Sequence, residues 1–168
     1  MAADLRSRIH KIYLDYMAGR LDLVLSNFAD DVEFICYAPV HVLPYFGRRS
    51  GKADLAARML EVQAEFEHLN FLPKALLIDS DNQGAAAIIE VRFKQRSSGR
   101  LIEITVAHFA RFRDGQVVEV REFIDSFDAI QQAFGREIAV PNTAGAPRET
   151  AARPRPMTAT HPDDSRRR

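Results

Sequence analysis

The pair Asp114-Gly115 constrains this chain more than any other feature. It separates two runs of alternating apolar residues within Leu101 to Ile130, LIEITVAHFARFRDGQVVEVREFIDSFDAI. A two-residue type I′ turn needs positive φ at both central positions, which Asp-Gly accepts at low cost, so the segment is predicted to be a long hairpin followed by a short helix. Pairing Arg113 with Gln116 and counting inward sets Ala107 opposite Glu122, Phe109 opposite Val120 and Arg111 opposite Val118. The face holding Val118, Val120, Ile124, Ala107 and Phe109 is the more apolar and is expected to be the core side. His108, Ala110, Phe112, Glu119, Arg121 and Phe123 then face outward. A one-residue slip would exchange the two sets. Glu122 is the one acid on the expected inner face. A carboxylate there costs several kcal/mol unless it is paired or protonated, roughly the desolvation of an ion.

The rest of the chain supplies layers for this hairpin to pack against. Leu5, Ile9, Ile12 and Tyr16 fall on one face of a helix ending at Gly19. Leu21, Leu25 and Phe28 form the apolar side of a second, closed by Asp30-Asp31. Residues 32–37 read as a strand and 38–51, APVHVLPYFGRRSG, as a loop. Ser50 or Gly51 caps a third helix whose inner face is Leu55, Met59, Val62 and Phe66. Pro73 makes the next strand an edge or bulged one. Residues 81–84 turn it into Ala85 to Gln95, where Ile89, Val91 and Phe93 alternate with charges. The expected class is α+β: a curved antiparallel sheet with about three N-terminal helices on its concave face.

One domain, residues 1–140, is expected, followed by a tail at 141–168. The tail has six arginines, three acids and almost no large apolar side chains, so it cannot offset its ordering entropy and is expected to be disordered, with Arg166-Arg167-Arg168 a solvated end. Hydrophobic residues make up 46% of the chain, enough for a core, and no apolar run approaches the roughly 18 residues of a membrane span. The N-terminus reads as an amphipathic helix rather than a signal peptide. Balanced charge (23 basic, 23 acidic) gives no electrostatic footprint for nucleic acid. A lone cysteine, Cys36, fits a reducing, cytoplasmic setting. Five scattered histidines show no metal-ligand spacing, and nucleotide-binding and serine-hydrolase motifs are absent, so neither a metal nor a cofactor is expected.

Three segments carry a family resemblance. Ala18-Gly19-Arg20-Leu21-Asp22 through Asn27-Phe28-Ala29-Asp30-Asp31-Val32 is similar to the pattern "aGdld…fadDv". Phe46 to Ala53, FGRRSGKA, resembles "G.yrG.da". Arg111-Phe112-Arg113-Asp114-Gly115-Gln116-Val117 with Arg121-Glu122-Phe123-Ile124-Asp125 resembles "rfrdGkI…reyfD". Together they resemble the nuclear-transport-factor-2-like superfamily, and within it the SnoaL-like, polyketide-cyclase-like group, over about Leu5 to Phe134. The resemblance implies a cone-shaped fold and leaves the chemistry open, since this superfold carries enzymes, binders and scaffolds. Against ketosteroid isomerase, the base, tyrosine and oxyanion-aspartate positions fall on Cys36, Ile12 and Ala107, so that set is lost. Against limonene epoxide hydrolase, an acid is kept at Glu122 while the arginine and aspartate positions fall on Ile89 and Val91. The cyclases pair an aspartate near the Glu122 position with a histidine that matches His108.

Glu122 is the leading catalytic candidate, with a pKa that burial in an apolar cone should raise. The alternatives are an ion pair with Arg111 or a place open to water. Tyr16 offers a hydroxyl to a ligand, or else packs its ring with the tip in water. His41 and Tyr45 lie in the loop that roofs such a pocket. Tyr13 is expected to point to another side of its helix. The expected pocket wall is Ile12, Cys36, Tyr45, Met59, Val91, Phe93, Ala107, Phe109, Val120 and Ile124, unless Phe66, Phe93 and Phe109 fill it. Cys36 reads equally as a buried small hydrophobe. His68 is placed near a helix end, and Asp125 is expected to cap the last helix. His108 and Arg121 are expected to be partners on the outer face, which with Phe112 and Phe123 would form a homodimer. The leading expectation is a cone that binds a small apolar molecule and does acid–base chemistry through Glu122, helped by Tyr16 or His41. The competing one is a non-catalytic ligand-binding or dimeric interaction module.

Overall fold

The structure is a computed structural model that describes residues 2–139, so the tail lies outside the described residues. The chain runs α1 (Ala2–Met17), α2 (Leu21–Leu25), β1 (Phe28–Cys36), β2 (Gly47–Ser50), α3 (Lys52–Glu65), β3 (Phe66–Ile78), β4 (Gly84–Gln95), β5 (Leu101–Arg113), β6 (Gln116–Ile124) and α4 (Ser126–Phe134). The six strands form one sheet in the order β2-β1-β6-β5-β4-β3. It is α+β, and the sheet is antiparallel except where β1 lies parallel to β6. No helix among the described residues is long and apolar enough to cross a membrane.

The stripes expected from sequence face the core. Leu5, Ile9 and Ile12 of α1 are buried, as are Leu55, Met59 and Val62 of α3. They cover strand residues that alternate on the same side: Phe34 of β1, Ile89 and Val91 of β4, Val106 and Phe112 of β5, and Val117 and Val120 of β6. Gly19, at φ 70°, ends the first helical region in the left-handed conformation that a glycine takes without a Cβ clash. Asp125 caps α4, its carboxylate accepting from the Asp128 N–H at 3.1 Å. Pro73 sits on the edge strand β3, and the ladder shifts between Pro73 and Ala75, as a residue without an N–H requires.

Several boundaries differ from the sequence reading. Phe28, Asp30 and Asp31 belong to β1 rather than closing α2, Phe66 opens β3 rather than ending α3, and Gly47–Ser50 is a strand. Gly51 stands at the N-cap of α3, one of the two expected positions, without a side-chain hydrogen bond, and the Ser50 N–H donates to Asp54.

The hairpin carries the largest correction. Asp114 and Gly115 form the turn at φ 53° and 76°, and Arg113 pairs with Gln116 as expected. Phe112 pairs with Val117, but Arg111 then pairs with Glu119. Val118 is therefore an extra residue, a β-bulge. It changes the parity of one strand against the other, so His108 faces Glu122, and Ala107 and Phe109 point to the opposite side. The physical reason lies farther along β5: Ile102, Ile104 and Val106 need the core face that the turn register alone would deny them. The bulge satisfies the turn and both apolar faces together.

Candidate active site

Four polar side chains from four elements meet inside the cone. The Arg58 Nη2 donates to Glu122 Oε1 at 2.9 Å. The second carboxylate oxygen, Oε2, lies 2.9 Å from His108 Nε2, and His108 Nδ1 lies 3.2 Å from the Tyr13 hydroxyl. Cys36 is paired across from Glu122 in the β1–β6 ladder. Arg58 gives its Nε–H to the Tyr45 carbonyl at 3.2 Å and lies 4.1 Å over the ring of Phe34. Such stacking holds a buried guanidinium by about 0.5–2 kcal/mol.

The protonation state follows from these contacts. Burial alone would raise the Glu122 pKa, but the Arg58 charge and the His108 hydrogen bond outweigh it and hold the carboxyl well below the usual carboxylate range. This reverses the rise expected from an apolar surround. An ionised Glu122 only accepts, so His108 Nε2 donates to it, and in the tautomer with its proton on Nε2 the Nδ1 accepts from Tyr13 O–H. The Tyr13 pKa is pushed up by burial and by Glu122, which keeps its phenol protonated. Burial, together with Glu122, raises the Cys36 thiol, so Cys36 stays protonated and is not a nucleophile.

The cluster opens on a cavity of about 130 Å³ with a largely apolar wall. Of the positions expected there, Ile12, Tyr16, Tyr45, Met59, Val91, Phe93, Val120, Ile124 and Glu122 line it. Cys36 is buried behind Glu122 without lining it. Ala107 and Phe109 lie on the other face of the sheet, where Phe109 is 52% exposed; the bulge at Val118 put them there. His41 is exposed on the loop and away from the wall, which the neighbouring Leu43, Tyr45 and Phe46 reach instead. Phe66 and Phe93 line the cavity without filling it. His68 lies in β3 rather than at a helix end, edge-on to Tyr16 and Phe93 at 4.8 Å, and burial lowers its pKa to about 4. Arg111 does not pair with Glu122, and His108 does not partner Arg121, whose Nε donates to Glu119.

Sequence reasoning missed Arg58, His108's inward aim and Tyr13. Arg58 stands at +3 from Leu55 inside the Leu55–Met59–Val62 stripe, and a cation on the apolar face opposite a lone acid is a readable signal. Tyr13 lies four residues after Ile9, within the width of the α1 apolar face. Among the described residues no cluster of three His, Cys, Asp or Glu side chains is placed to hold a metal ion.

A curved open sheet cupping helices, with a polar cluster at the bottom of the cup, defines a nuclear-transport-factor-2-like cone. The family model for the SnoaL-like domain matches residues 9–120, and the chain belongs to that family. Among solved structures it is similar to a proposed isomerase from Rhodopseudomonas palustris, at 20% identity and TM-score 0.71, covering 79% of this chain and 97% of that one. A proposed polyketide cyclase from Pseudomonas putida KT2440 is 18% identical at TM-score 0.64, covering 74% and 94%. An epoxide hydrolase of the LEH-like type from M. tuberculosis is 12% identical at TM-score 0.64, covering 79% and 91%. At these identities the likeness establishes the fold. No curated protein sequence matches the chain.

Proposed function

We propose that the cone binds a small, mostly apolar organic molecule and transfers a proton on it, in an isomerisation, cyclisation or hydration, with His108 rather than Glu122 as the base. The observation that carries this reading is the wiring of one imidazole: Nε2 held by an ionised carboxylate, Nδ1 turned toward a tyrosine hydroxyl that lines the cavity. A ligand proton would pass to the Tyr13 oxygen as the Tyr13 proton passes to His108 Nδ1. The imidazolium so formed would be stabilised by Glu122, which stays ionised because Arg58 faces it. Arg58 and Glu122 act here as positioning residues, and Tyr16 lends a hydroxyl to the ligand.

The test is native mass spectrometry of the protein from its own cells to find the bound molecule, followed by its deuterium uptake from heavy water. Uptake with the wild type and little with His108→Gln supports the reading. Equal rates in both would overturn it.

A second reading, that the protein also acts as a homodimer, is favoured by the outer sheet face. There Phe123 stacks on Tyr37 at 4.6 Å and meets Phe109 edge-on at 5.8 Å, all three more than 40% exposed. Phe112, expected on that face, is buried inside instead. Light scattering that gives a monomer mass at micromolar concentration would remove this reading.

A further inference from the structure

The size, charge and polar tips of the cavity narrow the class of molecule it can take, given that it is a ligand site at all. A cavity of about 130 Å³ is close in size to the engineered apolar cavity of about 150 Å³ that accepts benzene, so it matches a single ring. Its ions cancel. Arg58 is committed to the Tyr45 carbonyl and to Glu122, and among the described residues no other arginine and no lysine lines the wall to receive an anionic ligand. Glu122 in turn is occupied by Arg58 and His108 and cannot serve an ammonium group without breaking that set. One hydroxyl is left over. Tyr13 spends its proton on His108, whereas the Tyr16 hydroxyl lines the same cavity with no hydrogen-bond partner among the described residues. Burial raises the Tyr16 pKa to about 12, so it remains a donor at neutral pH. A hydroxyl left unpaired in an apolar site is unfavourable, and a single ligand oxygen would satisfy it.

We propose that the cavity takes a neutral, single-ring molecule carrying one hydroxyl or carbonyl oxygen, with that oxygen at the Tyr16 hydroxyl.

The test is calorimetric titration of the full chain at pH 7.5 with four probes: phenol, toluene, 2-naphthol and benzoate. Phenol should bind saturably, toluene more weakly, and 2-naphthol and benzoate not measurably. Tyr16→Phe should weaken phenol about tenfold, to the level of toluene, and leave toluene unchanged; tenfold is about 1.4 kcal/mol. Its thermal midpoint should equal or exceed that of the wild type, because only an unpaired hydroxyl is removed. The proposal is overturned if phenol does not bind, if 2-naphthol or benzoate binds as tightly, or if Tyr16→Phe leaves phenol affinity intact. Retained phenol binding beside a failed deuterium-uptake assay would instead sink the proton-transfer reading and leave this ligand class standing.

Discussion

Two carboxylates are buried among the described residues, and they are buried differently. Asp15 lies in the last turn of α1 and accepts from Lys11 at 2.6 Å and Arg20 at 2.8 Å, cations whose side chains are 63% and 52% exposed. Glu122 lies on the inner face of β6, and its partners Arg58 and His108 are 6% and 13% exposed. Hydrogen bonds from Lys11 and Arg20 hold the Asp15 pKa below its ordinary value, so both groups are ionised. Asp15's network runs outward into water and ties the end of α1 to Arg20, the residue at the start of α2. Glu122's network runs inward, through an imidazole to a phenol on a cavity wall. Both charges are satisfied; what each one leads to separates a joint from a site.

Breaking the inner pair should give the largest effect. Arg58→Met or Glu122→Gln leaves an uncompensated group in a dry site and is expected to cost about 3–5 kcal/mol, read by urea unfolding. The double variant should lose less than the two single losses together, because each single variant strands the other's partner. Asp15→Asn should lose less than either. Its loss should also shrink as salt is raised from 0.05 to 0.5 M, while that of Glu122→Gln should hold, since exposed cations are screened and buried ones are not.

Acid should separate a third, half-buried group from both carboxylates. His68 is neutral in the fold, with its pKa lowered from 6.5 to about 4, so the unfolded chain binds more protons between those values. Stability is fully present above pH 6.5, falls as pH drops toward 4, and levels below it. His68→Phe should flatten the thermal midpoint across that window. The depressed Glu122 carboxyl contributes stability above its unfolded value, about 4.3, that is lost at still lower pH. The smallest effect belongs to Tyr13→Phe, which removes one hydrogen bond and should cost about 0.5–1.5 kcal/mol in the same unfolding assay.

The sequence reading was strongest where one local rule decided the outcome. Asp114-Gly115 placed the turn, the Leu55–Met59–Val62 spacing placed the α3 face, and alternation along β6 put Glu122 inside. It went astray on β5 because the register was counted only from the turn, with Phe109 and Ala107 weighed and Ile102, Ile104 and Val106 left out. Including that far half would have demanded a bulge and brought His108 inward. The parallel β1–β6 pair, which sets Cys36 beside Glu122, joins residues 86 to 89 positions apart and has no local signature. The Arg58–Glu122 contact is equally non-local. Its two halves were nonetheless each visible as a charge on an apolar face.

The central claim is that Glu122 is ionised and fixes the tautomer of His108. Long-range proton–nitrogen correlation on histidine-labelled protein at pH 7.5 tests it directly. The account predicts a proton on His108 Nε2, facing Glu122, and an Nδ1 that accepts from Tyr13, an arrangement that Glu122→Gln loosens. A proton on Nδ1 of the neutral ring, with Nε2 bare, would mean that Glu122 is the donor and carries the proton, and the assignment of His108 as the base would fall.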